Sequence, residues 1–437
     1  MPRYSDVSLR RQAGRLPAAV LFLPACFVVD VILGGPSGVY GGVSVPLLLL
    51  GVSCGILLFA VLVRGRLEQA HLLPMLSISA FLILNGIWIA IVPVLAGTDM
   101  HWTLREAHSF IVLVPVVLVL GLLRRDQLAR TLPRLQRLVV VTALVLAAFQ
   151  VGLWVVGTLF GDVSWVVPLV LRAIFPGVSD QLFVGPMADG FFRVFWISTL
   201  WCLLGSFWAP VALPATRFRW LFQGLLLMDL FVAYSRGIWL GLLAGVLVAF
   251  GATLTWHRLG RTLARSAVIG LAAAGALVGV LAATGTLERG VSRFRSTTSR
   301  EDTSISARLE QAPYLLQLWY EHPVVGSGYG AYSAGHLRSQ DAPYSYEHMP
   351  YALLAKLGLL GVLVSGIFVS SWGLTAWEVR RRSPSRVASF LGACVALLIA
   401  EMTNPMVLNL VSMSIFACLL LQWADLVSPH DNSPSHG

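Results

Sequence analysis

Charged residues are scarce in this chain, and their scarcity constrains its class before any motif is considered. Only 12% of the 437 residues are Asp, Glu, Lys or Arg, whereas 57% are hydrophobic, and the mean hydropathy is +0.77. A soluble domain carries about 25% charged residues, because its surface must be compatible with water. The composition therefore excludes a soluble globular protein and indicates a chain that crosses a membrane repeatedly.

Lysine and patterned cysteine are lacking as well. Lys356 is the only lysine among the 31 basic residues, and the net charge of +10 lies in short arginine clusters between apolar runs. Scattered clusters argue against a nucleic-acid partner, because a nucleic-acid-binding protein usually has one basic domain with interleaved aromatic residues. The five cysteines all lie inside apolar runs without a spaced pattern. We therefore predict no disulfide framework, no metal site and no cofactor.

Apolar runs of about 20 residues predict the membrane helices, because lipid offers backbone polar groups no partner outside the helix itself. We expect an all-α polytopic membrane protein with about twelve transmembrane helices, in a single domain over residues 1–426. The first run follows N-terminal arginines and lacks a cleavage site, which favours a first span over a removed signal peptide. The expected spans are 17–34, 43–63, 72–96, 107–123, 138–160, 191–213, 220–235, 237–256, 266–285, 351–376, 387–405 and 406–426.

Arginine sets the expected orientation of these spans. With a cytoplasmic N-terminus, most arginines fall in short inside loops, as the positive-inside rule requires. Both termini are then cytoplasmic, with a disordered tail at 427–437. Two sizeable segments, 161–190 and 286–350, are left outside.

Several arginines break this rule, because the same topology places them outside or at the outer membrane edge. Positive charge there opposes the orientation and costs desolvation energy near a helix end. Such residues either pair with neighbouring carboxylates on a solvated face or serve as fixed cations for an anionic ligand. The arginines concerned are Arg193, Arg236, Arg289, Arg293, Arg295, Arg300, Arg308 and Arg338.

Arg236 stands out among them because it lies between two apolar segments, directly before Gly237. Glycine permits a tight reversal of the chain or the close approach of another group. The arginine either snorkels to the membrane interface or binds an anionic ligand there. Arg193, which is expected to open the sixth span, leaves the same two alternatives.

The outer segment 286–350 is expected to hold the remaining polar signals. Residues 305–320 predict an amphipathic helix, with one face towards the membrane and the other towards polar surroundings. The alternating Gly326, Gly328 and Gly330 indicate a flexible turn; a phosphate-cradling turn is the alternative, but the strand–loop–helix context of a nucleotide site is missing. The expected membrane face holds Leu309, Leu315, Leu316 and Trp319, and the polar face holds Arg308, Glu310 and Gln311.

Tyr346, Glu347 and His348 come directly before the tenth expected span. A histidine changes protonation near physiological pH, and this one is expected where a lipid-borne substrate meets water. Glu347 would either orient the histidine or act as the base itself. The alternative is an interfacial histidine without a chemical role.

Taken in order, these residues resemble the O-antigen ligase and O-antigen polymerase superfamily of bacterial membrane glycosyltransferases. The resemblance covers about residues 230–365. It rests on Ser235-Arg236-Gly237, Arg308 and Trp319 of the amphipathic helix, Pro323, the three glycines, and His348 ahead of the run Leu353–Gly361.

The resemblance implies a protein of the bacterial inner membrane that transfers a glycan from undecaprenyl diphosphate to an acceptor hydroxyl on the periplasmic side. It also implies that Arg236 and Arg308 bind the diphosphate and that His348 assists the acceptor. The family often has asparagine after this histidine, where the chain has Met349. Further expected substrate-binding residues are Arg193, Arg338, Glu347, Tyr346 and Arg295.

The acceptor stays open at this point. Another lipid-linked repeat unit would make the protein a polymerase, which is our first hypothesis, and a lipopolysaccharide core sugar would make it a ligase; a related protein O-glycan ligase also fits.

A flippase for the same lipid is the alternative of another class, but transporters place ionisable groups at mid-bilayer, where we find only Asp30, Asp229 and Glu401. A scaffold without activity would leave the outer arginines unexplained. Arginine forks can neutralise a diphosphate without a metal, which favours metal-independent transfer. If His348 accepts the proton of the incoming hydroxyl, the transfer is a direct displacement with inversion.

Overall fold

A computed structural model describes residues 39–40, 43–65, 67–160, 182–187, 191–214, 216, 218–253, 303–337, 340, 342–402 and 409–428. Two expected spans, 17–34 and 266–285, lie outside the described residues. The same holds for Arg295, Arg338 and residues 429–437 of the expected tail.

Helices make up most of the described chain. They are α1 (Val45–Arg64), α2 (Leu72–Ala90), α3 (Val92–Ala96), α4 (Met100–Ala107), α5 (Leu113–Leu122), α6 (Arg125–Phe160), α7 (Thr199–Ala212), α8 (Phe218–Val232), α9 (Arg236–Thr253), α10 (Thr303–Glu321), α11 (Met349–Glu378), α12 (Pro384–Met402) and α13 (Leu410–Val427). Short 3-10 turns are found at Gln69–His71, His108–Val112 and Val379–Arg381. Two antiparallel hairpins complete the described elements, β1 (Val39–Tyr40) with β2 (Val43–Ser44) and β3 (Leu182–Pro186) with β4 (Phe192–Trp196).

Within the described residues, seven helical segments are long and apolar enough to cross a membrane, so the chain is an all-α membrane protein. Each overlaps one of the expected spans. The segments are Gln69–Ala96, Met100–Leu122, Arg125–Phe160, Arg236–Thr253, Met349–Arg381, Pro384–Met402 and Leu410–Val427. Two further expected spans correspond to shorter apolar helices within α1 and α7, and the expected span 220–235 corresponds to the 15-residue α8. The total of twelve therefore stays a prediction.

Helices α9 and α12 pack closely against each other, and this contact positions the site. A Cβ atom at Gly241 would collide with the carbonyl of Ala396, and one at Gly245 would collide with the carbonyl of Gly392. Small residues let two backbones approach in this way, which is a common device in membranes. Since residue numbers rise along α9 as they fall along α12, the two helices run antiparallel.

This register puts two distant parts of the sequence at one face of the bundle. The start of α9, at Arg236, lies level with the end of α12. A short connection joins α11 to α12, and the two helices are in contact, so the start of α11 lies at the same end of the bundle as the end of α12. Arg236 and His348 therefore lie at the same membrane face, while Arg386, at the start of α12, lies at the opposite face.

The helix α11 is broken at Gly358, whose φ of 62° lies in the left-handed region. The segment after the break, residues 359–378, has 20 residues, which is enough to cross a bilayer of about 30 Å. The freed backbone groups are satisfied by the preceding loop: the N–H groups of Leu359 and Leu360 donate to the carbonyls of Pro323 and Val324. A broken helix in a membrane is tolerated only when its polar groups find such partners.

The expected sixth span, 191–213, was wrong at its beginning. Residues Phe192–Trp196 form β4, paired in register with β3 so that Arg193 lies opposite Gly185, and the helix begins only at Thr199. Buried and half-buried positions alternate along the strand, which is the period of a sheet. Arg193 therefore does not open a membrane helix.

Candidate functional site

Arg236 is the first residue of α9, and the turn before it is tightly constrained. The carbonyl of Ser235 accepts the N–H of Trp239, and the indole N–H of Trp239 donates back to the carbonyl of Leu230 at 2.9 Å. Tyr234 has a φ of 52°, the only positive φ of a non-glycine residue in the described chain. A side chain in the left-handed region costs about 1–2 kcal/mol, so the surrounding packing must hold this turn.

The β3–β4 hairpin supplies that packing. The ring of Phe191 stacks on the ring of Tyr234, with centroids 4.0 Å apart and an interplanar angle of 9°. The guanidinium of Arg193 donates through Nε to the carbonyl of Ala233 at 2.9 Å, and it lies 4.7 Å from the ring centroid of Phe195. The hairpin thus fixes residues 233–237, which we call the Arg236 turn.

At the Arg236 turn, a guanidinium and a helix N-terminus occur together. The first N–H groups of a helix have no partner within the helix, and the helix dipole places partial positive charge at the same end. Both features favour an anion. Arg236 is half-buried, so a bound anion would be partly shielded from water.

The second group of predicted residues is assembled by α10 and the start of α11. Arg308 Nε lies 3.7 Å from Glu347 Oε2, and both side chains are about one-quarter exposed. The side-chain oxygen of Gln311, which is 2% exposed, accepts the backbone N–H of Glu347 at 2.9 Å. The helix α10 therefore holds the residue before His348 by its main chain and by its carboxylate.

The expected orientation of the amphipathic helix was only partly right. Leu309 is exposed, as a membrane-facing residue would be, but Leu315 is fully buried against Tyr346, Met349 and Ala352 of the protein itself. Gln311 is buried as well, instead of facing polar surroundings. The same apolar periodicity fits a lipid surface and a protein surface, so it could not distinguish the two.

His348 directly precedes α11 and stacks on Tyr351, with ring centroids 4.2 Å apart. Burial lowers the pKa of His348 below its usual value of 6.5, and the positive charge of Arg308 lowers it further. Both effects favour the neutral imidazole, which is the form that accepts a proton. The arrangement suits a general base at neutral pH.

Tyr346 is buried and serves as an anchor for the loop. Its hydroxyl oxygen accepts the backbone N–H of Ser333 at 2.7 Å, and its ring packs with Leu315 in the small cluster under His348. Burial raises the pKa of Tyr346 to about 12. The tyrosine is therefore a neutral structural anchor, and direct substrate binding by its ring stays a prediction.

The expected flexible turn at Gly326, Gly328 and Gly330 is instead closely packed. All three have positive φ, and a Cβ atom at any of them would collide with backbone or with a proline ring. The N–H of Gly328 donates to the carbonyl of Lys356 at 2.8 Å. We call residues 326–330 the glycine turn; its glycines serve close packing, not flexibility.

Sequence reasoning missed a buried ion pair beside this turn. Lys356 Nζ lies 2.5 Å from Glu106 Oε1, and the two side chains are 2% and 5% exposed. The other carboxylate oxygen of Glu106 accepts the N–H of Gly330 at 2.6 Å. One signal could have indicated it, since the only lysine of the chain lies within an apolar run.

The structure thus groups the predicted residues in two sets at one membrane face. Arg193 and Arg236 belong to the hairpin and the turn it supports, whereas Arg308, Tyr346, Glu347 and His348 belong to α10 and the start of α11. Among the described residues, no group of three or more His, Cys, Asp or Glu side chains is arranged to hold a metal.

Comparison with known proteins bears on the same part of the chain. Residues 221–366 match the family model described as O-antigen ligase. The match begins within α8 and ends within α11, so it contains Arg236, Arg308 and His348. No curated protein matches the chain. The match confirms the predicted resemblance to the O-antigen ligase and polymerase superfamily and indicates a membrane enzyme of glycosyl transfer.

Proposed function

We propose that this protein, in which residues 221–366 match the O-antigen ligase family model, transfers a glycan from undecaprenyl diphosphate to an acceptor hydroxyl at the periplasmic face of the bacterial inner membrane. The observation that carries the proposal is the shared membrane face of Arg236 and His348, which follows from the antiparallel register of α9 and α12. The opposite face holds arginines such as Arg386, as the positive-inside rule expects of a cytoplasmic face. The active site then faces the periplasm.

The donor is bound through its diphosphate. Arg236 and the first turn of α9 hold one side of it, and Arg308, oriented by Glu347, holds the other. A guanidinium forms paired hydrogen bonds with phosphate oxygens, and it needs no deprotonation or metal to do so. Arg193 acts mainly by holding the Arg236 turn.

Transfer proceeds by direct displacement. The acceptor oxygen forms a bond to the anomeric carbon while the bond from that carbon to the diphosphate oxygen breaks, and the electron pair leaves with the lipid diphosphate. His348 takes the proton of the acceptor hydroxyl and passes it to solvent. Because attack comes from the side opposite the leaving group, the anomeric configuration is inverted. The arginines stabilise the charge that develops on the diphosphate, which is worth about 10²–10³ in rate for a single group.

Two of the three candidate acceptors can be distinguished by a gene deletion. The hydroxyl of a second lipid-linked repeat unit makes the protein a polymerase, which remains our first hypothesis. The description of the matched family names the ligase reaction, so a sugar of the lipopolysaccharide core is the second candidate. Deletion of the gene separates them: single repeats remain attached when a polymerase is lost, whereas all attached glycan disappears when a ligase is lost.

The direct test is reconstitution in proteoliposomes with a lipid-diphosphate oligosaccharide, scoring product length and release of free lipid diphosphate. We expect release of lipid diphosphate in step with product formation, also in excess chelator. Arg236→Ala and His348→Ala should each lower the rate at saturating donor by about 10²–10³. Arg219→Ala is the matched control, because Arg219 lies near the other end of the same helix pair, at the opposite face.

Movement of intact donor between leaflets without release of lipid diphosphate would indicate a flippase instead. Unchanged transfer in both Arg236→Ala and His348→Ala would contradict the assignment of the site. An absolute requirement for Mg²⁺ would contradict the metal-independent mechanism.

A further inference from the structure

The buried Glu106 carboxylate connects segments that are far apart in sequence. One oxygen accepts the N–H of Gly330 in the glycine turn, and the other pairs with Lys356, which is 250 residues away along the chain. Lys356 in turn donates to the carbonyl of Tyr344 at 2.8 Å. A continuous chain of polar contacts therefore runs from the glycine turn through α4 and α11 to the loop before His348.

The aromatic residues of that loop enclose the ammonium group. Lys356 Nζ lies 5.7 Å from the ring centroid of Tyr344 and 5.9 Å from that of Tyr346. These distances fall within the range of cation–π attraction. The ammonium thus engages residues 344–346 by one hydrogen bond and two ring faces, directly before Glu347 and His348.

A buried ion pair of this kind is a poor source of stability, because taking two charges out of water costs about as much as their attraction returns. Its hydrogen bonds are directional, however, whereas an apolar replacement could pack in several ways. Lys356 also lies before the break at Gly358, in the part of α11 outside the 20-residue span. The pair therefore contributes more to the orientation of the loop before His348 than to the stability of the fold.

We propose that Glu106 and Lys356 act as a positioning pair, which holds residues 344–348 so that His348 meets the acceptor hydroxyl. The inference rests on the proposed glycosyl transfer. Neither residue touches substrate; both act through the loop. Arg236 is held by separate elements, and Glu347, which orients Arg308, is also held by Gln311 of α10. The pair should therefore affect the acceptor step far more than donor binding.

The test uses the full-length protein in proteoliposomes and compares Lys356→Met, Lys356→Arg and the double variant Glu106→Leu/Lys356→Met. For Lys356→Met we expect kcat to fall about 10²-fold, since a displacement of about 1 Å is that costly. The Kd for the lipid-diphosphate donor should change less than about threefold. Lys356→Arg should recover part of the rate, because it retains the charge and the donors.

The double variant separates positioning from stability. It leaves no uncompensated charge, so its thermal midpoint should return towards that of the native protein while kcat stays low. Recovery of kcat together with the midpoint would overturn the proposal. If Lys356→Met does not fold, kcat and the thermal midpoint are compared in Lys356→Arg and the double variant instead.

Hydrogen exchange of the peptide containing residues 342–348 gives a readout that does not depend on transfer. Exchange there should accelerate in Lys356→Met and in the double variant. Asp425→Asn is the matched control, because it removes the ion pair between Arg386 and Asp425 at the opposite face. It should lower the thermal midpoint without changing exchange in this peptide.

The two proposals can therefore fail separately. Faster exchange in the variants of a protein that performs no transfer would support the positioning pair and contradict the enzyme function. Normal transfer and unchanged exchange in Lys356→Met would overturn the positioning pair and leave the enzyme function intact.

Discussion

Arg193 donates a hydrogen bond to the carbonyl of Ala233, three residues before Arg236. One arginine at this membrane face thus holds the backbone from which the other projects. The contact links the hairpin to the residue that follows α8 and gives Arg193 a structural role, while direct substrate binding by Arg193 stays a prediction.

Replacing Arg193 with methionine should lower the transfer rate about 10-fold, because the Arg236 turn loses its anchor. Rates are measured in proteoliposomes at saturating donor. Arg219→Met is a close control, since Arg219 likewise donates to a backbone carbonyl and lies near an aromatic ring, at the opposite face. Equal effects of the two substitutions would contradict a specific role for Arg193.

The rate of transfer should fall as pH decreases through the pKa of His348, because only the neutral imidazole accepts a proton. Burial and the charge of Arg308 lower this pKa, so the acid limb of the pH–rate profile should lie below 6.5. In Arg308→Gln a positive neighbour is lost, the pKa rises, and the limb should move to higher pH. If the acid limb of the pH–rate profile does not move in Arg308→Gln, a group other than His348 is responsible for it.

Gly330→Ala should destabilise the protein by about 2–3 kcal/mol, because the residue has positive φ and a Cβ atom there meets the backbone of Thr103. Gly366→Ala is the matched control, since Gly366 lies within α11 with open space around it. That substitution should be neutral or stabilising by about 0.5–1 kcal/mol. Thermal denaturation in detergent compares the two, and similar midpoints would argue against a closely packed glycine turn.

A cysteine introduced at Leu337, in a background without the native cysteines, should react with a membrane-impermeant maleimide added to intact spheroplasts. Leu337 is exposed in the loop that precedes His348. A cysteine at Arg382 should react only after permeabilisation, because it lies between α11 and α12 at the opposite face. The reverse pattern would place the site in the cytoplasm and exclude the proposed donor geometry.

Local sequence patterns predicted much of the fold. A run of apolar residues long enough to cross a bilayer has few alternatives, so the helices around 237–256, 351–376 and 387–405 were predicted close to their observed positions. Arg236 at a helix start and His348 directly before a helix were likewise readable from the sequence, because each adjoins an apolar run.

Long-range contacts were not readable. The short strand containing Arg193 is as apolar as a membrane helix, and only its pairing with β3 makes it a strand. The partners Glu106 and Lys356 are brought together by tertiary packing alone. No spacing rule connects residues so far apart, and the one signal in the sequence, a single lysine within an apolar run, does not identify its partner.

The contact between α9 and α12 has a consequence for how a lipid reaches the site. Backbone atoms meet at Gly241 and Gly245, which leaves no width for a hydrocarbon chain between these two helices. Under the proposed function, the polyprenyl tail of the donor must therefore lie along a different flank of α9 while its diphosphate binds at the Arg236 turn. The contact between α9 and α12 is closed to lipid, so the donor must enter the site from the membrane at another side of the bundle.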